Sequence, residues 1–545
     1  MMKDGSAPGG WNGHADREAA YMAAGYWRAE SLVDIVRANC VAKPNGAAYV
    51  EGVDRWTWAD ADELSDAWAT TLLDLGLQRN DRLAVLLPDG ATVQIGFLAA
   101  EKAGIVAVGI GARAGAKEIT HLIRRTGATV LLSGAEHDGA PTVDIVDRLR
   151  DEGLHIDHHV VVADDLSQVM VDSQPHALIA KRDLIEERRF GPNNMSIVNS
   201  TSGTTGMPKC VMHNQNRWWY FHQLAQAAAD LTPDDNFYSA VPMPFGFGLW
   251  TSHFTPAYLG AQVGLMRRFS PTRMLDDIES QRVTVLSCVT TQFIMMMNAA
   301  DSAHRDLSSL RVLFTGGEAV PYDRAAEFED RFGASVLQFY GSNETGALSR
   351  TTLGDSREAR FGTAGRIIPE MNVIMLDPHR ERIPNEGTRG QPACIGPATS
   401  LGYWDDDAAN AELFTDDGWM LMGDMVEIDD DQYLRVVGRV GDFIIRGGKN
   451  ISAPAVEAEV ATHPSIALVA AVADPDAVLG ERVGLYVTLK PGSSLTLDAL
   501  VTYLRERGMS KDSLPERLTI LDELPMSSGG KVAKGELRLR ASSTE

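Results

Sequence analysis

The sequence predicts an α/β fold, with a large N-terminal domain of several subdomains on parallel-rich sheets and a small α+β C-terminal domain. Up to about residue 440, short apolar runs alternate with helix-length segments, a pattern typical of βαβ units. From about Gly441 the elements become shorter and more closely spaced. The 545 residues also allow three or four domain-sized bodies at about 150 residues each.

The clearest βαβ pattern lies between residues 82 and 132. Two apolar runs of strand length flank a helical stretch, and a second amphipathic helix follows before a third strand. Glycine directly after a helical pattern indicates where that helix ends. In order, we predict strand Arg82–Leu87, a helix over Ile95–Ala103 ending at Gly104, strand Ile105–Ile110, a helix face of Ile119, Leu122 and Ile123 ending at Gly127, and strand Ala128–Leu132.

The C-terminal segment carries its own helix and strand signals. Leu497, Leu500, Val501 and Leu504 have helical spacing, so they predict an amphipathic helix. Thr496 is its candidate N-cap and Gly508 its stop. Strands Leu468–Val472 and Val483–Leu489 precede it, and we predict an N-terminal domain over 1–438, a hinge over 439–442 and a C-terminal domain over 443–545.

The charge balance excludes two large classes of partner. There are 50 basic and 74 acidic side chains, a formal net charge of −24. Nucleic-acid binding needs a basic face, and anionic lipid repels an acidic protein. Asn236–Met266 lacks charged side chains and is long enough to span a bilayer, but it contains three prolines and four glycines. We interpret it as buried strand and loop.

The cysteines indicate a reducing compartment. Cys40, Cys210, Cys288 and Cys394 are widely separated and form no CxxC or Cys/His cluster, so a zinc site or disulfide framework is not predicted. The polar opening stretch shows no signal-peptide core. We therefore expect a cytoplasmic protein.

The segment Ser200–Lys209 is the strongest functional signal. It holds five hydroxyl residues, two glycines and one lysine after an apolar strand pattern, so backbone N–H groups, hydroxyls and one cation could surround a phosphate. Pro208 rather than Gly precedes Lys209, which excludes a Walker A loop. A flexible Ser/Thr/Gly linker is the alternative interpretation.

This loop resembles the signature loop of the adenylate-forming superfamily, which includes acyl-CoA synthetases, nonribosomal adenylation domains and luciferases. Tyr21–Arg28 resembles the subgroup acting on cyclic aliphatic and aryl acids. Other motifs follow in the superfamily's order: Tyr340–Thr345 is similar to YGxTE, Met422–Asp424 to TGD, Gly438–Arg439 and Gly447–Asn450 to the hinge and glycine loop, and Pro525–Lys531 to PxTxxGK.

The resemblance implies a two-step reaction. A carboxylate attacks the α-phosphate of ATP to give an acyl-adenylate and pyrophosphate, and a thiol, usually that of coenzyme A, then displaces AMP. Lys531 is the main catalytic candidate, and the further catalytic candidates are Glu344, Thr201 and Lys209. Glu344 and Thr201 are also the candidate Mg²⁺ ligands, because Mg²⁺ favours one or two protein oxygens plus phosphate oxygens.

The same resemblance implies the nucleotide-binding set. Each of these residues could instead be a turn residue, a solvated side chain or part of the core. The residue types alone do not decide between the functional and the structural interpretation. The set comprises Ser202, Gly203, Thr204, Thr205 and Gly206 of the phosphate loop, Gly316, Gly317 and Glu318 at adenine, Tyr340, Gly341, Ser342 and Asn343, Asp424 and Arg439 at the ribose, and Gly447, Gly448 and Lys449.

The chain departs from the superfamily pattern at three places. Asn343 replaces the Thr of YGxTE, and Met422 replaces the Thr of TGD. Gly441 stands where many relatives have Asp or Lys, and glycine keeps a hinge rotation feasible because it reaches both signs of φ.

The uncharged segment lies where this superfamily builds its acyl pocket. Aromatic residues beside glycines could shape a slot for a flat or ring-shaped acid, with ordinary core as the alternative. Gly246 stands where salicylate-type enzymes carry Asn, so that position offers no side-chain partner to a 2-hydroxyl group. The candidate pocket residues are Phe245, Phe247, Trp250, Thr291 and Phe293.

We therefore predict an ATP-dependent ligase joining a medium-sized hydrophobic cyclic or aromatic carboxylate to CoA. A stand-alone adenylating enzyme that loads a carrier-protein phosphopantetheine and a medium-chain fatty acid–CoA ligase are the alternatives. A non-catalytic nucleotide-binding protein of the same fold and a luciferase-like oxygenase are less favoured classes. The predicted partners are the acid, ATP and CoA, with a second copy of the chain as a candidate and no nucleic acid.

Overall fold

The computed structural model of the chain describes residues 14–201, 207–318, 320–377, 379–439, 443–446, 449–476, 478–527 and 531–542. For residues 14, 15, 439, 443, 449 and 450 it describes the main chain only.

The first sheet has nine strands within these ranges and is parallel through its centre. Antiparallel strands close it at both edges. Val312–Gly316 lies beside Ser335–Ser342, with Gly316 opposite Phe339. The spatial order is Arg366–Ile367, Gly346–Arg350, Ser335–Ser342, Val312–Gly316, Val285–Ser287, Phe237–Ser239, Val263–Leu265, Ala47–Glu51 and Asp54–Thr57.

The second sheet has eight strands among the described residues and is also parallel at its centre. Its last pair is the antiparallel hairpin Met195–Ser200 and Cys210–Asn214. A parallel centre buries both faces, which explains the continuous apolar runs in these strands. The order is Gln174–His176, Val169–Val171, His158–Val162, Val130–Ser133, Arg82–Leu86, Val106–Gly109, Met195–Ser200 and Cys210–Asn214.

Two smaller sheets follow along the chain. Along the chain, Leu434–Arg439 is the last strand of the third sheet, and Phe443–Arg446 is the first strand of the fourth sheet. The third sheet contains Arg382–Ile383, Ile374–Leu376, Arg389–Cys394, Asp424–Ile428 and Leu434–Arg439, with Met420–Leu421 paired to its third strand. The fourth contains Lys449–Ser452, Phe443–Arg446, Gly480–Leu489, Ile466–Asp476 and Arg517–Ile520. Glu136–His137 and Ala140–Pro141 form a separate hairpin.

Helices connect and cover these sheets. The α-helices are His14–Ala23, Leu32–Ala42, Trp58–Asp74, Ala91–Ala103, Ala116–Thr126, Thr142–Asp151, Arg182–Arg188, Gln215–Ala229, Gly246–Gly248, Thr255–Leu259, Pro271–Gln281, Thr290–Asn298, Tyr322–Phe332, Arg357–Gly362, Asp407–Leu413, Ala453–Val460, Leu497–Glu506 and Lys534–Ser542. Leu249–Phe254 is a π-helix, and Ser302–His304, Pro369–Met371 and Lys511–Ser513 are 3₁₀ turns.

The predicted fold class is confirmed, and the elements between 82 and 132 agree with the prediction to within a few residues. Gly104 and Gly127 end their helices in the left-handed conformation, with φ of 67° and 64°, which glycine adopts at little cost. The Thr496 side chain caps helix Leu497–Glu506 by accepting from the Ala499 amide.

The prediction of strand and loop for Asn236–Met266 is wrong in its middle. Phe237–Ser239 and Val263–Leu265 are strands, but 246–259 is helical throughout. Pro242 and Pro244 precede the helical run, and Pro256 is the second residue of Thr255–Leu259, directly after the π-helix Leu249–Phe254. The Thr255 amide donates to the Trp250 carbonyl, so the chain passes that proline with a π-helical turn. No helix of the described chain is long and apolar enough to cross a membrane.

The core contains one carboxylic acid that the sequence analysis did not single out. Glu101 is fully buried in helix Ala91–Ala103. Neither of its carboxyl oxygens has a hydrogen-bond partner among the described residues. Burial raises the pKa of this carboxyl to about 8, because an apolar environment disfavours the charged form.

Candidate active site

The ends of the predicted phosphate loop are joined to each other. The Thr201 amide donates to the Lys209 carbonyl at 3.0 Å, and the Lys209 amide donates to Thr201 Oγ1 at 3.1 Å. These bonds extend the ladder of the hairpin Met195–Asn214 by one pair. The predicted phosphate-loop residues Ser202, Gly203, Thr204, Thr205 and Gly206 lie outside the described residues.

Tyr403 connects this loop to Glu344. The Lys209 ammonium lies 4.9 Å from the centroid of the Tyr403 ring, within the range of a cation–π contact. The Tyr403 hydroxyl donates to Glu344 Oε1 at 2.6 Å. Burial and the adjacent carboxylate raise the pKa of the Tyr403 phenol, so it remains a hydrogen-bond donor at neutral pH. The sequence analysis missed Tyr403, because no local motif marks it.

The residues predicted to hold Mg²⁺ fit that ion. Glu344 offers a carboxylate and Thr201 a hydroxyl, both hard oxygen donors of the kind that Mg²⁺ prefers. Among the described residues there is no cluster of three or more His, Cys, Asp or Glu side chains suited to a metal.

Tyr340 and Asp424 form a second polar contact. The Tyr340 hydroxyl donates to Asp424 Oδ2 at 2.9 Å, bringing together two residues from separate motifs. Asp424 lies opposite Arg439 at the start of its strand. The Arg439 and Lys449 side chains, like all of Gly447 and Gly448, lie outside the described residues.

The C-terminal Lys531 reaches the N-terminal domain. A Cβ built on Gly317 would lie 2.8 Å from Lys531 Nζ, and Gly317 has φ of +75°, so a larger residue there would be strained and would meet the lysine. The next residue, Glu318, accepts hydrogen bonds at 3.1 Å from both the amide and the hydroxyl of Thr291. Gly316 is paired with Phe339, so this contact lies one strand from the Tyr340 motif.

Behind the Tyr340 motif lies a buried polar network. The side-chain amides of Asn199 and Asn343 bond each other at 2.6 and 3.2 Å. His213 bonds Asn199 at 2.7 Å, and Arg217 bonds both His213 and the Asn343 carbonyl. Burial and Arg217 lower the pKa of His213 well below its usual value, which keeps this histidine neutral.

Burial also lowers the pKa of the Arg217 guanidinium to about 9, against an opposing effect of the Glu344 carboxylate. The side chain therefore remains a buried cation at neutral pH. Asn199 and His213 are polar residues within buried strands, and this pattern could have predicted the network from the sequence.

The predicted acyl-pocket residues fall into two groups. Phe247 stacks on Trp250 with ring centroids 5.5 Å apart, and Trp250 contacts Phe314 at 5.3 Å. Phe245 begins the helical run and is partly buried. Thr291 is bonded to Glu318 as above. Phe293 packs instead against Phe328, in a separate part of the core.

Gly246 faces the polar network. A Cβ at this position would lie 2.8 Å from Asn343 Oδ1 and 3.6 Å from Trp218 Cη2. The Asn343 amide therefore borders the space that a side chain at position 246 would use, a juxtaposition that the sequence alone did not reveal.

Residues 36–404 match the family described as AMP-binding enzyme, and residues 455–531 match the AMP-binding enzyme C-terminal domain. With the fold and the contacts above, these matches define an enzyme class, the AMP-forming acyl-CoA synthetases. The chain belongs to the AMP-binding enzyme family. The two matches do not test the boundary predicted at 438–442, which stays a prediction.

Known relatives span nearly the whole chain. A medium-chain fatty-acid–CoA ligase of Escherichia coli strain K12 is 29% identical over 525 residues, covering 96% of this chain and 92% of the relative. A salicylyl-CoA synthase / salicylate adenylyltransferase of a Streptomyces species is 29% identical and covers 99% and 98%. The crystal structure of an anthranilate CoA ligase with anthranoyl-AMP has a TM-score of 0.83 at 22% identity, covering 95% and 98%.

Proposed function

We propose that this chain is an ATP-dependent carboxylic acid–CoA ligase for a medium-sized hydrophobic cyclic or aromatic carboxylate. The observation that carries the proposal is the contact of Lys531 with Gly317, one strand from the Tyr340–Asp424 hydrogen bond. A cation from the C-terminal domain thus meets the predicted nucleotide segment of the N-terminal domain.

In the first step, an oxygen of the acid attacks the α-phosphorus of ATP, and the bond to pyrophosphate breaks with its electron pair. Negative charge shifts toward the pyrophosphate, so fixed cations nearby lower the barrier. Lys531 stabilises the carboxylate and the α-phosphate, and Lys209 stabilises the pyrophosphate side. Asp424, oriented by Tyr340, accepts hydrogen bonds from the ribose hydroxyls.

Glu344 and Thr201 are the residues that would hold Mg²⁺. When bound, the ion neutralises phosphate charge. Tyr403 orients the Glu344 carboxylate through its 2.6 Å hydrogen bond.

In the second step, the CoA thiol gives its proton to solvent, its sulfur attacks the acyl carbonyl, and AMP leaves with the electron pair of the broken bond. In keeping with the predicted hinge, we infer that the C-terminal domain moves about residues 439–442 between the steps. Residues 440–442 lie outside the described residues.

The acid class is inferred from the helical run 246–259. The stacked pair Phe247 and Trp250 favours a flat apolar group over a long flexible chain. The relatives act, by their names, on fatty and aryl acids alike, so the ring contacts are what favour the cyclic class.

The test is a panel of benzoic, cyclohexanecarboxylic, cinnamic and C6–C12 fatty acids, assayed for AMP release with and without CoA. We expect the highest kcat/KM with a cyclic or aryl acid, and AMP release that requires CoA. A preference for a fatty acid would contradict the proposed class of acid. AMP release that needs a holo carrier protein would contradict CoA as the acceptor, and no AMP release with any acid would refute the proposal.

A cytoplasmic location and a homodimer remain predictions. All four cysteines are unpaired, as expected in a reducing compartment. Size-exclusion chromatography with light scattering measures the assembly directly.

A further inference from the structure

Four charged side chains meet where the C-terminal segment contacts the first sheet. Glu318 follows strand Val312–Gly316, and Lys531 approaches its neighbour Gly317. Lys534 begins the last helix, and its ammonium lies 2.6 Å from Glu457 Oε1. Glu457 belongs to helix Ala453–Val460. Lys531 thus approaches the residue before Glu318, and Lys534 is paired with Glu457.

Glu318 has a fixed orientation. Thr291 donates to its carboxylate twice, through the amide and through the hydroxyl. Thr291 lies at the start of helix Thr290–Asn298 in the N-terminal domain, so these bonds involve no residue of the C-terminal domain.

The charges around Glu318 come from several elements. Burial raises the pKa of its carboxyl, while Lys531 and, more weakly, Lys534 oppose that change. The Glu457 carboxylate and the Cys288 thiol also interact with it. The positive charge of Lys534, which is paired with Glu457, therefore also acts on Glu318 and reduces the repulsion between the two carboxylates.

Lys534 is anchored within the C-terminal domain. Lys534 is tied to Glu457 within the C-terminal domain, and Glu457 also accepts from the Ala471 amide at 2.6 Å. A partly buried carboxylate without a cation is costly, and a matching cation offsets that cost. Glu318 thus favours the domain arrangement in which the lysine-bearing loop faces the nucleotide site.

We propose that Glu318 is a positioning residue that holds Lys531 and the C-terminal domain in the arrangement for adenylation, with Lys534 bridging it to Glu457. This inference rests on the proposed function. Glu318 acts here through the lysines, and adenine itself needs no contact with its carboxylate.

The decisive variant is Glu318→Gln, which keeps an acceptor for Thr291 and removes the charge. We expect kcat for acid-dependent ATP–pyrophosphate exchange to fall about 10- to 100-fold, the range for losing one charge-assisted contact. KM for ATP should stay within about twofold. Conversion of supplied acyl-adenylate to acyl-CoA should be unchanged or faster. Glu536→Gln, an exposed carboxylate on the last helix, is the matched control and should leave both half-reactions unchanged.

Lys534→Met provides a second variant should Glu318→Gln fail to fold. It should slow adenylation in the same selective way, and the double variant should be no worse than the stronger single one, because both remove one interaction. A rise in KM for ATP alone, or equal loss of both half-reactions, would overturn the inference in favour of an adenine contact or a structural role. An active wild type with an unaffected Glu318→Gln variant refutes this inference alone, whereas a wild type inactive on every acid refutes the proposed function.

Discussion

Lys531 is the residue on which the proposed chemistry depends most. Lys531→Ala should slow adenylation at least about 100-fold, the scale for removing one preorganised donor to a transition state. Formation of acyl-CoA from supplied acyl-adenylate should largely persist. Pyrophosphate exchange and single-turnover thioester assays measure the two steps. Near-normal exchange in the variant would contradict the role, and Lys511→Ala, an exposed lysine, is the control.

Glu101 makes stability depend on pH. The folded protein keeps this proton up to about pH 8, whereas the unfolded chain loses it near the ordinary pKa of 4.5. Between these values the folded state binds more protons, so stability falls as pH rises.

In Glu101→Gln this part of the pH dependence should disappear. Between about pH 5 and about pH 8, the free energy of unfolding of the wild type should fall by about 4 kcal/mol relative to that of the variant, at about 1.4 kcal/mol per pH unit. Urea unfolding at both pH values measures it. Glu63→Gln, exposed on helix Trp58–Asp74, should follow the wild-type curve, and identical pH curves for all three proteins would show that Glu101 does not titrate in this range.

Residues that act through sequence motifs were predictable, and residues that act through tertiary contact were not. Asp424 and Tyr340 carry motif signals and do lie together. Tyr403 and Arg217 carry none, because their neighbours Glu344 and Asn343 are 59 and 126 positions away. Spacing along the chain contains no information about such contacts.

Among the elements, the strands and helices of the second sheet were predictable because their limits are local. Gly104 ends a helix through its own φ preference. The helical run 246–259 was not, because proline was taken as evidence against any helix. Pro242 and Pro244 stand before the run, and Pro256 follows its π-helical turn. Burial rather than helix propensity stabilises this helix.

The junction between this helical run and the Asn343 loop has little spare room. Gly246→Ala would place a methyl group 2.8 Å from Asn343 Oδ1, so the amide must shift. Overpacking of this kind costs about 1–3 kcal/mol, and we expect kcat/KM for the acid to fall about 5- to 100-fold. Steady-state kinetics measure it. Gly362→Ala, which meets nothing within 4 Å, should be silent, and equal kinetics for both variants would show that the amide does not border the acyl site.

At the scale of the whole molecule, an acidic protein is proposed to bind two polyanions, ATP and CoA. The net charge of −24 describes the surface, whereas the proposed binding would depend on the local cations Lys209, Arg217 and Lys531. A negative surface is compatible with a positive binding site, because salt screens the surface charge over about 10 Å.

The predicted hinge can be tested although residue 441 lies outside the described residues. Gly441→Pro fixes φ near −65° and should favour one domain arrangement, so one half-reaction should slow at least about tenfold more than the other. Gly441→Ala, which keeps the N–H, should retain both. Separate assays of pyrophosphate exchange and thioester formation decide it, and equal loss in both steps would argue against a hinge.

The two hydrogen bonds between Thr201 and Lys209 have a consequence in terms of chain statistics. Bringing the ends of a chain segment together costs conformational entropy that grows with the logarithm of its length. Here the hairpin closes the ends when the protein folds, so the proposed triphosphate ligand would not have to close them on binding. Nucleotide affinity would therefore depend on the stability of the second sheet, and loss of the last hydrogen bonds of this hairpin would weaken binding without changing any charge.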